Sequence, residues 1–413
     1  MSSTSRTAAY IRDVAYLSSF NGAQSPVSMS YVSASQCGAA PDAAAPFRYL
    51  ELGSGDGATL TALAAACPHG EFIGVDFNAQ LVTAARESAA AASLGNIRFI
   101  DSAFSALDAS VPGHCDYVAC NGTWSWLDEP EKAALLRIVG ATLRDGGLLY
   151  LGYATVGRQA VTLMWQLMRG LLPAGDADSV SRLKAGLALL LELRAQGAQF
   201  LQDHPTVLAM LDSLEAQVAA GDRRSLENVA HNALANAYRA ELVDEVAAAL
   251  SPLGLALAGS ADPFLNDPDL CVPPALRQTF DRLETRVQRE LYKDCLRSTT
   301  VRRDVFRRGD STAMTASQWL ESRARATLSL PRPAAWQQVT RPAWTRHALV
   351  TPASEFVFER LTDGATSLPE IAEDSVYTPA NLRDAFTKLV ACPGIEPCLG
   401  PTLDSPTTPP RRL

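Results

Sequence analysis

The sequence predicts an α/β fold, a parallel sheet covered on both faces by helices, and three observations carry that prediction. From Tyr49 to Tyr153 short apolar runs alternate with Ala- and Leu-rich stretches of helical length. The apolar runs are continuous, as strands buried on both faces require. A glycine turn follows the first run directly and opens a helical stretch.

The strand-like runs are Arg48–Leu52, Glu71–Val75, Ile97–Asp101, Asp116–Cys120 and Leu148–Tyr153. Helices are expected at Ala58–Cys67, Ala79–Ser93 and Glu129–Leu143; the last starts at Asp128, with Glu131 three residues on, and stops at Gly146–Gly147. Residues 47–157 therefore form the core. Residues 1–46 read as an N-terminal arm with Tyr10, Tyr16, Phe20 and Tyr31, ending in the small-residue run Ala39–Pro46. Tyr10, Tyr16 and Phe20 either fold over a ligand or pack as an ordinary arm.

Beyond the core, residues 158–222 read as a helical insertion, with helices at Ala185–Ala195 and Thr206–Ala220. Residues 223–262 return to the sheet through a helix at Leu234–Leu250 and a strand at Leu253–Ala261. In the 263–310 segment, 274–308 is expected to be helical, with Arg297, Arg302, Arg303, Arg307 and Arg308 either meeting an acidic partner or, as base rates favour, forming a solvated face with salt bridges to nearby acids. Residues 311–345 are mixed and hold Trp319, Trp336 and Trp344. A small helical module follows, with Glu355–Leu361, Leu368–Ile371 and Asn381–Leu389, and a disordered tail from Pro401.

Bulk properties narrow the function. A chain of 413 residues needs more than one core. The net charge of −8 argues against gripping phosphate backbones, so no nucleic-acid partner is expected. The eight cysteines include no C-x-x-C pair and the five histidines no metal spacing, which favours a reducing compartment and no metal. Met1–Arg12 lacks a signal-peptide core and no run approaches the ~20 apolar residues of a membrane span, so the expectation is a cytoplasmic protein.

The chemistry sits in Glu51-Leu52-Gly53-Ser54-Gly55-Asp56-Gly57. Alternate glycines permit positive φ and let the backbone approach a ligand with no Cβ between. Asp76, at the end of the second strand, shares a crevice with this turn and is placed to accept both ribose hydroxyls of a nucleoside. The G-x-G-x-G spacing departs from the G-x-G-x-x-G of dinucleotide binders, and Glu51 stands where those prefer a small or apolar residue. The set points to S-adenosylmethionine (SAM), which has no pyrophosphate. Asp101 and Ser102 fall where an adenine amino group would lie. With Phe77 and Asn121 they complete the candidate cofactor residues Glu51, Gly53, Gly55, Gly57, Asp76, Phe77, Asp101, Ser102 and Asn121.

The fourth strand end continues as Cys120-Asn121-Gly122-Thr123-Trp124-Ser125-Trp126. Here the chain resembles class I methyltransferases carrying a methyltransferase regulatory domain, the group that includes bacterial protein-lysine methyltransferases. That family shows His-Gly-x-Tyr/Trp-Ser-Trp at this place, followed by a strand like Gly147–Tyr153. The stretch E-L-Y-K-D-C-L-R-S-T-T-V-R-R-D over Glu290–Asp304 is similar to the family's E-x-Y-x-D-x-x-R-N-R-x-F-R. The departure is Asn121 in place of histidine.

The resemblance implies a class I methyltransferase (Rossmann-like) sheet domain with the helical insertion. It makes 263–310 a regulatory segment and 311–400 a small winged-helix-like C-terminal domain. It also implies methyl transfer to a protein lysine, with a protein or peptide partner. Asn121, Trp124, Trp126 and Tyr153 are the candidate catalytic residues, lining a pocket that desolvates an amine and holds its developing charge by cation–π attraction. Trp124 and Trp126 also fit as core aromatics beneath the crevice. A small-molecule N- or O-methyltransferase and a SAM-binding protein without turnover stay open as alternatives. A homodimer through the middle or C-terminal region also stays open, although no residue demands it.

Overall fold

The strands β1 (Phe47–Leu52), β2 (Gly70–Asp76), β3 (Ile97–Asp101), β4 (Cys115–Cys120), β5 (Leu143–Ala154), β6 (Leu255–Ser260) and β7 (Val301–Arg308) form one sheet in the order β3-β2-β1-β4-β5-β7-β6. The structure is a computed structural model and describes residues 19–172, 178–309, 316–322, 325–328, 335, 349–362, 364–373, 375–392 and 394–398. β1 to β5 pair in parallel; β7 runs antiparallel to both β5 and β6.

Both faces of the sheet are covered, as the continuous apolar runs predict. On one face Tyr49, Phe72, Tyr117 and Leu148 pack against Met29 and Val32 of α1 (Pro26–Ser35), Leu60 and Leu63 of α2 (Ala58–Ala66), and Val82 and Ala85 of α3 (Ala79–Ala91). On the other, Leu50, Ile73, Val118 and Leu149 pack against Leu135 and Ile138 of α4 (Glu129–Thr142). The Asp128 carboxylate caps α4 by accepting from the Glu131 N–H at 3.0 Å, the start signal visible in the sequence.

The described part of residues 158–222 consists of helices joined by short turns: α5 (Gln159–Leu171), α6 (Ser179–Ala195) and α7 (Pro205–Ala219), with one short turn of helix between the last two. With α8 (Arg223–Leu234) they share a core of their own around Trp165, Leu187, Leu211 and Leu226.

Two expectations are corrected. The helix expected at Leu234–Leu250 is instead the end of α8, an irregular stretch over 235–242, and α9 (Val243–Leu250). In that stretch the Arg239 and Glu241 N–H groups donate to the carbonyls of Ser125 and Ala154, both at 2.9 Å, so its backbone serves the segment after β4 and the end of β5 rather than a helix.

The helix expected to run through 274–308 ends with α10 (Arg286–Arg297), and Val301–Arg308 is β7. The arginines are accordingly not one solvated face. Arg302 is 4% exposed, Arg297 lies over the Phe264 ring at 4.9 Å, and Arg308 donates to the Gly140 and Leu143 carbonyls. Arg302 and Asp304 point inward together because each neutralises the other, which gives a buried strand the composition of a surface.

The C-terminal module combines a three-stranded antiparallel sheet, β8 (Arg325–Leu328), β9 (Thr366–Ser367) and β10 (Ile395–Cys398), with α11 (Ala316–Ser322), α12 (Pro352–Leu361), α13 (Leu368–Ala372) and α14 (Pro379–Val390). Tyr31 of α1 packs into its core beside Phe358 and Phe386. Tyr10, Tyr16, Trp336, Trp344, the Trp319 side chain and the tail lie outside the described residues. Among the described residues no helix is long and apolar enough to cross a membrane.

Candidate active site

Parallel strands end together, so the tips of β1, β2, β3 and β4 meet along one crevice. Leu52 lies in register with Val75, and Asp76 with Asp101, which brings the glycine turn and both acids side by side.

The three glycines of the turn have positive φ (82°, 54° and 71°) and three different tasks. A Cβ on Gly53 would strike Thr123 at the β4 tip, and one on Gly57 would strike the Phe99 ring and Ala85. Above Gly55 there is open space. Gly53 and Gly57 thus fit the turn into the protein, while Gly55 faces the crevice with no side chain in the way.

Asp76 ties its strand to this turn. Its Oδ2 accepts from the Gly55 N–H and its Oδ1 from the Asn78 N–H, both at 2.9 Å. Burial raises its pKa against these hydrogen bonds, and Asp101 adds to the rise. Phe77 and Ser102 are half-buried and Asp101 is exposed, on the same rim.

Glu51 is the most perturbed acid of the site. It is 5% exposed; burial pushes its carboxyl up to about 8, Asp76 and Asp56 add to the rise, and a hydrogen bond from Gln24 opposes it. Its Oε1 takes the Gln24 amide at 2.6 Å, whereas Oε2 has no hydrogen-bond partner among the described residues. A buried acceptor left open beside an open glycine suits a ligand that brings a cationic N–H donor. The ammonium of SAM is such a group, so the residues fit this cofactor.

Past β4 the wall turns through a short 3-10 segment, Trp124–Trp126. Asn121 is half-buried, and its Oδ1 receives the Tyr150 hydroxyl at 3.5 Å. Trp124 is 1% exposed; its Nε1–H donates to Glu241 Oε2 at 2.7 Å, and the Lys132 ammonium lies 4.9 Å over its ring. Trp126 is half-buried and packs against the rings of His231 (4.5 Å) and Tyr238 (4.7 Å). Burial drives His231 down to about 4, which keeps its ring neutral near pH 7.

Tyr153 is 1% exposed and its hydroxyl donates to Asp304 Oδ2 at 2.7 Å. Asp304 also holds Arg302, which reaches Glu290 at 2.9 Å and Asp294 at 2.8 Å, and Lys293 meets Glu290 at 2.6 Å. Glu290, Lys293, Asp294, Arg302 and Asp304 of the Glu290–Asp304 motif thus form one buried ion cluster next to Tyr153.

Of the residues singled out by sequence, Glu51, Gly53, Gly55, Gly57, Asp76, Phe77, Asp101 and Ser102 lie at the strand tips, and Asn121 follows directly on β4. Trp124 and Tyr153 are committed to interior partners. Sequence reasoning missed Asn21, Gln24, Tyr150 and Glu241, which carry no local signal and reach the site only through folding. Among the described residues no cluster of three His, Cys, Asp or Glu side chains is placed to hold a metal.

Comparison with known proteins bears on the fold and the domains. Residues 50–149 match the methyltransferase domain family and residues 226–308 a predicted methyltransferase regulatory domain. An uncharacterized protein of Synechocystis sp. is 24% identical over 388 residues, 94% of this chain and 75% of its own length. Among solved structures, PKMT2 from Rickettsia typhi is similar with a TM-score of 0.67 and 15% identity, over 93% of this chain and 77% of that one. The same Rickettsia protein has been solved with AdoHcy bound, and that structure matches with a TM-score of 0.66 and 14% identity over the same shares of the two chains. With its glycine turn, its strand-tip acids and both matched domains, this chain is a class I SAM-dependent methyltransferase that carries a methyltransferase regulatory domain.

Proposed function

We propose that the chain methylates nitrogen, with the lysine side chain of a polypeptide as acceptor. The observation that carries this reading is the wall beside the cofactor tips: an asparagine amide at the end of β4, a half-buried Trp126, and a neutral His231. The likeness to PKMT2 supports it from outside the chain.

Methyl transfer is an in-line displacement, and the protein's task is to align the acceptor and exclude water. SAM supplies a methyl group already activated on a sulfonium. Glu51 would hold the cofactor's ammonium, Asp76 its ribose and the Asp101–Ser102 edge its adenine. A lysine must arrive as the free amine, because its ammonium (pKa near 10.4) has no lone pair. The apolar surface of Trp126 and Tyr238 lowers that pKa by desolvation, and a neutral His231 adds no repulsion. Asn121 Oδ1 spends one lone pair on Tyr150 and keeps a second for an N–H of the amine. Trp124 and Tyr153 act from behind, holding the wall against Glu241 and Asp304.

Labelled SAM mixed with whole-cell lysate and resolved on a gel tests the reading. Radioactive protein bands that liberate methyl-lysine on hydrolysis are the expected result. Label confined to small molecules overturns the polypeptide acceptor. SAM binding with no AdoHcy release from any acceptor pool overturns turnover itself.

A further inference from the structure

A run of hydrogen bonds joins the cofactor end of the crevice to its acceptor wall, and it starts from one side chain of the N-terminal segment. The Asn21 Nδ2 group donates to Gln24 Oε1 at 3.3 Å and to the Tyr150 hydroxyl at 2.9 Å. From there the bonds run outward. Gln24 Nε2 donates to Glu51 Oε1 at 2.6 Å, and the Tyr150 hydroxyl donates to Asn121 Oδ1 at 3.5 Å. An amide nitrogen has two protons, and Asn21 uses one for each arm.

The polarity is set at both ends. Glu51, once ionised, accepts only, so Gln24 must present its nitrogen there and its oxygen to Asn21. Tyr150, having accepted from Asn21, has its own proton left for Asn121. Asn121 Oδ1 sits against Gly152, where a Cβ would lie 2.7 Å from it, so the glycine leaves the amide oxygen its place.

Asn21 itself is clamped. Its N–H donates to Thr59 Oγ1 at 3.1 Å, in the first turn of α2, and Thr59 returns a bond to the Ser19 carbonyl at 3.2 Å. Gln24 is fully buried, and its carbonyl accepts from the Tyr49 hydroxyl at 2.9 Å.

We propose that Asn21 is a positioning residue for methyl transfer, which orients the Asn121 amide through Tyr150 and the Glu51 carboxyl through Gln24. The proposal deepens the reading that Asn121 faces the acceptor, and rests on it. It gives the N-terminal segment a task in the reaction: the acceptor wall is ordered only while this segment is docked on α2.

The test uses the full chain with 15N-labelled asparagine and three variants: Asn21→Asp, Tyr150→Phe and the double. Asn21→Asp keeps the shape, removes both donors, and draws the Tyr150 proton to itself. The side-chain amide signals of Asn121 should move in each single variant, and the double should match Tyr150→Phe. With saturating labelled SAM and poly-L-lysine as probe, kcat/KM for the acceptor should fall about tenfold in each single and no further in the double, while SAM affinity falls in Asn21→Asp and stays within twofold in Tyr150→Phe. Should Asn21→Asp fail to fold, Asn21→Ser, which also removes both amide donors, carries the same readouts. Unmoved Asn121 signals, or losses that multiply in the double, overturn the proposal. Asn121 signals that move as expected while wild-type protein leaves poly-L-lysine unmethylated uphold the orientation by Asn21 and sink the lysine reading instead.

Discussion

The Tyr153 hydroxyl donates to Asp304 at 2.7 Å across 151 residues of chain, joining the tip of β5 to the regulatory-domain strand β7. Asp304 has no exposed surface, and it holds Arg302 through two hydrogen bonds. The regulatory domain is thus built into the sheet that forms the crevice.

Removing the centre of that cluster should be costly. Arg302→Ala leaves Glu290, Asp294 and Asp304 without their shared cation in a buried site, and the expected loss is about 3–5 kcal/mol of folding stability. Tyr153→Phe removes one hydrogen bond and should cost about 1 kcal/mol. Urea denaturation of both variants measures the difference; equal losses would contradict the central place given to Arg302.

The two tryptophans of the wall should separate. Trp124→Ala empties a buried site and removes the indole donor from Glu241, which keeps its ion pair with Lys132 at 2.7 Å; the expected cost is about 3–5 kcal/mol. Trp126→Ala should destabilise less and depress turnover more. Parallel measurement of melting temperature and single-turnover methyl transfer decides it.

The glycines of the turn should also divide by task. Gly57→Ala forces a Cβ into the Phe99 ring and should lower the melting temperature. Gly55→Ala meets no atom, carries only the strain of its positive φ, and should chiefly lose SAM affinity in calorimetry. Asp76→Ala should weaken SAM by about 1.5–3 kcal/mol, the worth of a charge-assisted hydrogen bond.

Glu51 gives a pH signature. Its carboxyl titrates near 8 in the folded protein, above its unfolded value, so the native state holds the extra proton across the interval between them. Its contribution to stability is therefore complete below the unfolded pKa and declines as pH rises toward 8. Melting temperatures of the cofactor-free protein from pH 5 to 8.5 should fall more steeply in wild type than in Glu51→Gln. At pH 7, calorimetry in buffers of different ionisation enthalpy should show a proton released on SAM binding, absent in that variant.

Much of this was legible in the sequence because its signals are local. Continuous apolar runs mark buried parallel strands, and glycines at alternate positions after a strand mark a ligand turn. Asp76 is placed by its position at a strand end alone. What stayed hidden depends on distant partners. β7 looks like a basic helix face because Arg302 and Asp304 cancel each other in the interior, which no window of sequence reports. Asn21 and Tyr150, 129 residues apart, meet only when the N-terminal segment docks on the sheet. Glu241 reaches Trp124 because residues 235–242 leave the helix their composition suggests.

The measurement that bears most directly on the whole account is a crystal structure of this chain with AdoHcy. The ribose hydroxyls should rest on Asp76, the ammonium against Glu51 Oε2, and the sulfur should face Asn121. Ligand bound away from these strand tips, or a crevice closed to AdoHcy at saturating concentration, would contradict it.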